Sequence, residues 1–343
     1  ARGATDDKGQ LFIHIAAAEA ILKICDRLPL NIKFMLEGEE ELGSTHLREF
    51  VRTHQDLLKA DVAVISDTHM VNPHSPSIIT GVRGLVYMEV SLRGSKHDLH
   101  SGKNGGVVEN PFNVMAHLIA SLRDSQGKIT IPGFYDKVRE LGPAERDAID
   151  GGRVTGQVLL QETGAPALFG EPNYTLAERI GVRPTLDVHG IRGGFTGKGQ
   201  KTIIPAVATA KVSMRLVPDQ DPNEIVRLFT DYVTAICPPT MTISVKKLSA
   251  EPSAVIDIDN PAIEAAAAAF ERVVGKRPVF PREGGSIPGV SMFDQLLKAP
   301  VVMMGFGLPD DGLHSPNEKF YLPNLYNGID TTIHFYHLLA AQA

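Results

Sequence analysis

The sequence predicts an α/β protein with a smaller α+β domain inserted into it. Three observations predict it. Up to Thr80, short apolar runs that end at acidic residues alternate with helical stretches. After Thr80 the strands lengthen and alternate, and from Asn260 helix and buried strand alternate again. Alternating helices and short apolar strands are the pattern of a parallel α/β layer.

In residues 10–25 the apolar side chains Leu11, Phe12, Ile15, Ala16, Ala18, Ile21, Leu22 and Cys25 recur at helical spacing, with Asp6 and Asp7 at the N-terminal entry. Residues 31–36 are short and β-prone, so a buried strand is expected there, running into the acids Glu37, Glu39, Glu40 and Glu41. Residues 44–59 read as a helix and residues 61–66 as a second strand that ends at Asp67. Residues 85–92, 185–191, 206–216 and 241–247 form the longer strands, with helices over 111–122 and 222–236 and an irregular stretch over 127–183. The resulting order, strand, helix, strand, strand, helix, strand, is the ferredoxin-like βαββαβ arrangement, an antiparallel sheet with helices on one face. A helix over 262–274, a buried strand over 301–305 and a helix over 326–341 complete the chain. The expected domains are therefore 1–80 together with 253–343, and an inserted domain over 81–252.

A chain of 343 residues exceeds the size at which one core usually stops growing, which favours two domains and a cleft between them. Its 43% hydrophobic and 22% charged residues suit a folded protein, and a net charge of -6 gives no electrostatic reason to expect nucleic acid or an anionic membrane as partner. Cys25 and Cys237 are too few for a disulfide scaffold and lack zinc-site spacing. No apolar run reaches the roughly 20 residues of a membrane helix. A soluble cytoplasmic protein is expected. The chain opens at Ala1 without Met, inside what looks like a motif, so an upstream segment is also expected.

Open α/β sheets bind ligands at the carboxyl ends of their strands, where the cluster Glu39 to Glu41 and Asp67 fall, and Asp6 stands at a helix start. Gathered carboxylates repel one another and are kept ionised most simply by a cation. His314, after the strand over 301–305, is a fourth candidate. Asp, Glu and His together suit zinc or manganese, and the lack of thiolates argues against a purely structural zinc site. Taken singly, each residue has an ordinary alternative: Asp6 as a helix cap, Glu39 to Glu41 as a solvated acidic loop, His314 as a structural histidine. The glycine-rich residues 193–201 lack the spacing of a phosphate loop.

The strings GATDDKG (3–9), EGEEELGS (37–44), VISD (64–67), HSGKNGG (100–106), KTIIP (201–205), SMRLVP (213–218), REGGSIP (282–288) and DDGLHSPNE (310–318) resemble, in order and over nearly the whole chain, the motifs of M20 metallopeptidases, above all the cytosolic nonspecific dipeptidases and carnosinases. The resemblance implies a zinc-exopeptidase-like catalytic domain carrying a lid and dimerisation domain. It implies two divalent metals, zinc or manganese, with Asp6 bridging them, Glu41 and His314 on one and Asp67 on the other. Glu40 matches the general base that takes a proton from the metal-bridging water. His100, Thr202 and Arg215 match substrate contacts, with His100 acting on the neighbouring subunit of a homodimer and Arg215 pairing with the C-terminal carboxylate of a short peptide. Glu283, Gly285 and Ser286 match a loop that meets the substrate, for which an ordinary turn is the alternative. Asp7 is either a support of the metal ligands or an exposed helix-start acid.

The family's first metal histidine and the aspartate two residues beyond it precede the first motif and have no match here, so the site of Asp67 lacks one expected ligand. The expected activity is metal-dependent hydrolysis of dipeptides or short peptides with a free C-terminal carboxylate. The alternatives are an N-acyl-amino-acid deacylase of the same family and a truncated, non-catalytic dimeric homologue.

Overall fold

The computed structural model describes residues 1–150 and 155–342. In chain order the strands are β1 (Ala63–Ile65), β2 (Ile78–Ile79), β3 (Gly81–Val82), β4 (Gly84–Arg93), β5 (Leu99–His100), β6 (Thr185–Gly193), β7 (Ile203–Ile204), β8 (Val207–Leu216), β9 (Thr242–Glu251), β10 (Ala254–Val255) and β11 (Val301–Met304). The helices are α1 (Lys8–Cys25), α2 (Leu47–Thr53), α3 (Gln55–Leu58), α4 (Ser101–Asn104), α5 (Pro111–Ser121), α6 (Pro143–Asp150), α7 (Gly156–Thr163), α8 (Leu176–Gly181), α9 (Pro222–Ile236), α10 (Pro261–Val274), α11 (Pro288–Met292) and α12 (Leu322–Ala340).

Two cores organise these elements. In the first, α1, α10 and α12 bury Ile13, Ala17, Ile21, Phe270, Phe335 and Tyr336 against Val302, Met304 and Phe306 at β11. The small residues Ala262, Ala265, Ala266, Ala267 and Ala269 let α10 pack closely there. Strand order is β1-β11-β2, with β1 and β11 parallel as the sequence predicts. β2 departs from that expectation by pairing antiparallel to β11. The second core lies under a four-stranded antiparallel sheet of order β6-β8-β4-β9, on which α5 and α9 pack through Met115, Leu118, Phe229 and Val233. This is the predicted βαββαβ order, with both helices on one face. β4 alternates buried and half-buried residues along almost its whole length, as a sheet covered on one face requires. The chain crosses between the cores at β3 and again at β10, and these two short strands pair with each other.

Three expectations need correction. Residues 31–36 form no strand: Phe34 and Leu36 are 46% and 63% exposed, and Lys33 Nζ donates to the backbone oxygens of Leu57 and Lys59. A β-prone run without a neighbouring ladder cannot satisfy its backbone as a strand. The helix expected over 44–59 is split at His54 into α2 and α3. The stretch expected to be irregular, 127–183, holds α6, α7 and α8; its residues 151–154 lie outside the described residues. Thr175 and Glu178 start α8 with a reciprocal capping box, a signal present in the sequence. Among the described residues both cysteines are free, and no helix is long and apolar enough to cross a membrane.

Candidate metal centre

Asp6 immediately precedes the N-cap residue of α1, where the helix dipole favours negative charge. Its side chain does not cap the helix; its Oδ2 faces His314 Nε2 at 2.8 Å. Glu41 enters through a short 3-10 turn, Glu40–Leu42, that Gly43 ends at a φ of 87°. Glu41 Oε1 lies 3.2 Å from the same imidazole nitrogen. One ligand atom each from Asp6, Glu41 and His314 therefore falls within 4.8 Å of the other two. Arg2 reaches into this group, contacting Asp6, Glu41 and the carboxylate of Glu318.

The loop that carries His314 is held at both ends. Asp311, fully buried, accepts hydrogen bonds from Leu308 N at 2.7 Å and Thr5 Oγ1 at 3.0 Å. The carboxylate of Glu318, also fully buried, accepts from the backbone N–H groups of Gly3, Thr5 and Asp6 at 3.1, 2.8 and 3.0 Å. Burial opposes its charge, but these three donors and Arg2 outweigh burial and hold its pKa below the usual carboxylate range. Glu318 thus locks the segment preceding α1 to the loop and aims Asp6 at His314. Between these anchors the loop turns through positive φ at Gly312, His314 and Asn317 and leaves the imidazole 64% exposed.

Asp67 follows β1. Ser66 Oγ donates to Met304 O of β11 at 2.7 Å, so the 2.6 Å contact with His14 is donated by the His14 Nε2–H, and His14 Nδ1 accepts from Tyr336 OH at 3.1 Å. Burial pushes the His14 imidazole down to about 4, which keeps it neutral in this arrangement. The relay ties α1, the end of β1, β11 and α12 together beside Asp67. At the end of β11, Gly305 has no room for a side chain: a Cβ there would stand 2.1 Å from Thr68 O.

The acids raise one another's pKa values. Burial, and then Asp67, Asp6 and Glu40, push Asp7 up to about 8. Burial, Asp6 and Glu40 push Asp67 up to about 6, against the opposing effect of His314. Burial, Asp6 and Glu37 raise Glu40, while His314 and Arg2 oppose the rise. Asp7 Oδ1 is buried with no hydrogen-bond partner, so Asp7 is not an exposed helix-start acid. Five acids (Asp6, Asp7, Glu40, Glu41 and Asp67), a neighbouring imidazole and an orphaned carboxylate oxygen fit a cation: a divalent ion would relieve the repulsion and supply the missing partner charge. Asp, Glu and His are hard or borderline donors of the kind zinc and manganese accept.

The predicted substrate residues fall into two further groups. His100 ends β5 and faces Ile203 of β7, and Thr202 O accepts from Ser101 N at 3.0 Å, so His100 and Thr202 are exposed neighbours at the end of a partly buried two-stranded ribbon. Arg215 Nη1 donates to Ser286 Oγ at 2.9 Å, which joins the inserted sheet to the loop of Glu283, Gly285 and Ser286. Burial lowers the Arg215 pKa. Among the described residues no hydrogen bond or ion pair links either group to Asp6, Glu41 and His314.

None of Arg2, His14, Asp311 and Glu318 stands out singly in the sequence as a site residue. Glu318 ends the last motif string and Asp311 stands near its start, so position offered a signal for both. His14 offered none, being one of several polar residues in α1.

Acids and an imidazole gathered beside the carboxyl end of a strand in an α/β layer are an arrangement that suits metal-dependent hydrolysis. The model of peptidase family M20/M25/M40 matches residues 1–337. The chain is 37% identical over 346 residues to the Cys-Gly metallodipeptidase dug1 of Schizosaccharomyces pombe, covering 99% of this chain and 72% of that one. Among solved structures it resembles human carnosine dipeptidase 1 (TM-score 0.85, 31% identity, 99% of this chain and 72% of that one). It also resembles the M20 family metallo-carboxypeptidase Sso-CP2 from Sulfolobus solfataricus (TM-score 0.90, 32% identity, 99% of this chain and 77% of that one). The chain belongs to peptidase family M20, and it is a metallopeptidase with the mixed α/β fold of that family.

Proposed function

We propose that this protein hydrolyses the amide bond of dipeptides or short peptides with a free C-terminal carboxylate. The observation that carries the proposal is the convergence of Asp6, Glu41 and His314 within 4.8 Å, beside the raised acids Asp7, Asp67 and Glu40. The names of its relatives, a Cys-Gly dipeptidase and a carnosine dipeptidase, support the substrate class.

In this reading Asp6, Glu41 and His314 hold one divalent cation, and Asp6 with Asp67 holds a second; zinc and manganese suit the donors. The cations, when bound, lower the pKa of water and polarise the scissile carbonyl. Glu40 is the general base. Its raised pKa brings it closer to neutrality, so it can accept a proton from the attacking water and return it to the leaving amine. Arg215 receives the terminal carboxylate through the two-pronged geometry of a guanidinium, which Ser286 orients by accepting from its Nη1. Asp7 supports the ligands, and Glu283 and Gly285 shape the substrate loop. His100, exposed, contacts substrate bound to the partner protomer of a homodimer, and Thr202 beside it is a further substrate contact.

The domains in this reading are 1–80 with 253–343 for metal binding and 81–252 for the lid. Two free cysteines are in keeping with a cytoplasmic setting. The test is restoration of zinc or manganese to metal-depleted protein, with a panel of dipeptides and N-acyl amino acids as substrates. Cation-dependent cleavage of dipeptides is expected. Cleavage of N-acyl amino acids alone would make it a deacylase, and cleavage of neither would overturn the proposal.

A further inference from the structure

Arg83 stands at the first crossing between the two cores, between β3 and β4. Its guanidinium is not spent on a carboxylate: Nε donates to Gly284 O at 2.9 Å and Nη1 to Arg183 O at 3.2 Å. Gly284 belongs to the loop after α10, and Arg183 to the segment leading into β6, so one side chain spans both sides of the crossing. Its backbone continues the work. Arg83 N donates to Gly285 O at 3.0 Å, and Arg83 O accepts from Ser286 Oγ at 2.5 Å. Ser286 Oγ then accepts from Arg215 Nη1 at 2.9 Å. Glu283 N donates to Gly81 O at 2.8 Å just before it.

The close approach is built into the sequence. A Cβ on Gly284 would lie 2.9 Å from Arg83 Nη2 and 3.1 Å from Ile180 O, so a larger residue there would push on both contacts. The arrangement also has a cost. Burial first, and Arg215 second, lower the Arg83 pKa to about 10, and among the described residues neither guanidinium forms an ion pair. Glu283 and Asp187 offset part of the Arg83 charge and Asp187 part of that of Arg215, but neither carboxylate closes into an ion pair, so the two partly buried guanidiniums leave a positive field that favours an anion.

We infer that Arg83 is a positioning residue for the anion site of Arg215: it fastens Gly284, Gly285 and Ser286 across the crossing, and the Ser286 hydroxyl, its proton given to Arg83 O, accepts from Arg215 Nη1 and so orients that guanidinium toward a carboxylate. This rests on the proposed reading that Arg215 receives the substrate's carboxylate. Arg83 does not itself touch the reacting atoms.

The experiment compares wild type with Arg83→Gln, Arg83→Lys and Arg215→Gln. It measures steady-state cleavage of a dipeptide and of the same dipeptide as its C-terminal amide, and hydrogen exchange of the amides of residues 283–286. Losing hydrogen bonds from a charged donor is expected to raise KM for the free dipeptide roughly tenfold in Arg83→Gln. The kcat and the amide substrate should change little, and exchange in the loop should quicken by a similar factor. Arg83→Lys should recover part of the loop protection. If Arg83→Gln slows both substrates equally, or leaves loop exchange unchanged, the inference is overturned. If Arg215→Gln preserves the preference for the free carboxylate, the reading of Arg215 fails instead, and unchanged KM in Arg83→Gln with intact Arg215 selectivity sinks only the role of Arg83.

Discussion

The Asp6 carboxylate and the His314 imidazole meet at 2.8 Å although 307 positions of chain separate them, because Glu318 accepts the Asp6 backbone N–H and holds the His314 loop in the same act. The relationship converts a helix start and a surface loop into one cluster. Neither element would place its ligand there alone: His314 lies in a turn of positive φ and Asp6 precedes the first turn of α1.

Glu40 is the base in the proposed reaction and is not needed to hold a cation. Glu40→Gln should lower kcat by roughly 10²- to 10⁴-fold while leaving cation binding intact. Parallel turnover and calorimetric titration check this, and a variant that loses cation affinity in proportion to activity would reassign Glu40 as a ligand.

The raised acids set a pH dependence whose sign is definite. Asp7 and Asp67, at about 8 and about 6 when folded against 3.8 otherwise, hold protons in the folded state that the unfolded chain has released. In that window the folded state binds more protons, so stability of the cation-free protein falls as pH rises from about 4 to about 8. Thermal melts across this range, with and without manganese, should show the decline and its reversal by the cation. A cation-free protein whose Asp7 and Asp67 contribution rises with pH would contradict the assignment.

His14 has the opposite sign. Its folded pKa of about 4 lies below 6.5, so its contribution is complete above 6.5 and is lost as pH falls towards 4. His14→Phe removes the acceptor of Tyr336 OH and the donor to Ser66, and should cost about 1–3 kcal/mol at neutral pH. The loss should shrink on acidification, read as converging melting curves of the two proteins.

The elements most legible in the sequence are those whose periodicity is locally sufficient. α9 and the long strands β4 and β8 carry their own apolar stripes and form near their expected bounds; α1 also forms where expected, but it buries Ile13 and Ala17 while Phe12, Ile15 and Leu22 of the expected stripe are exposed. Residues 31–36 mislead because β-propensity describes a fit to a neighbouring strand, and none stands beside them. In the site, Asp67 is legible as an acid following a strand, whereas Glu318 is legible only as a position in the last motif string, since glutamate is rarely buried and nothing local announces three amide donors converging on it.

Gly305 is a structural requirement of the same region. Gly305→Ala would drive a Cβ into the Thr68 backbone, where no side-chain rotation can relieve it. A loss of about 3 kcal/mol or more is expected, beyond ordinary overpacking, together with weakened cation binding through Asp67. Urea unfolding measures the first and titration the second.

The central claim, that Asp6, Glu41 and His314 form a metal centre, is tested most directly by calorimetric titration of metal-depleted protein with manganese or zinc in buffers of different ionisation enthalpy near neutral pH. Saturable binding with release of protons from the raised acids is predicted, abolished or weakened at least tenfold in Asp6→Asn and His314→Ala. Binding that is absent in the wild type, or unchanged in both variants, would contradict it.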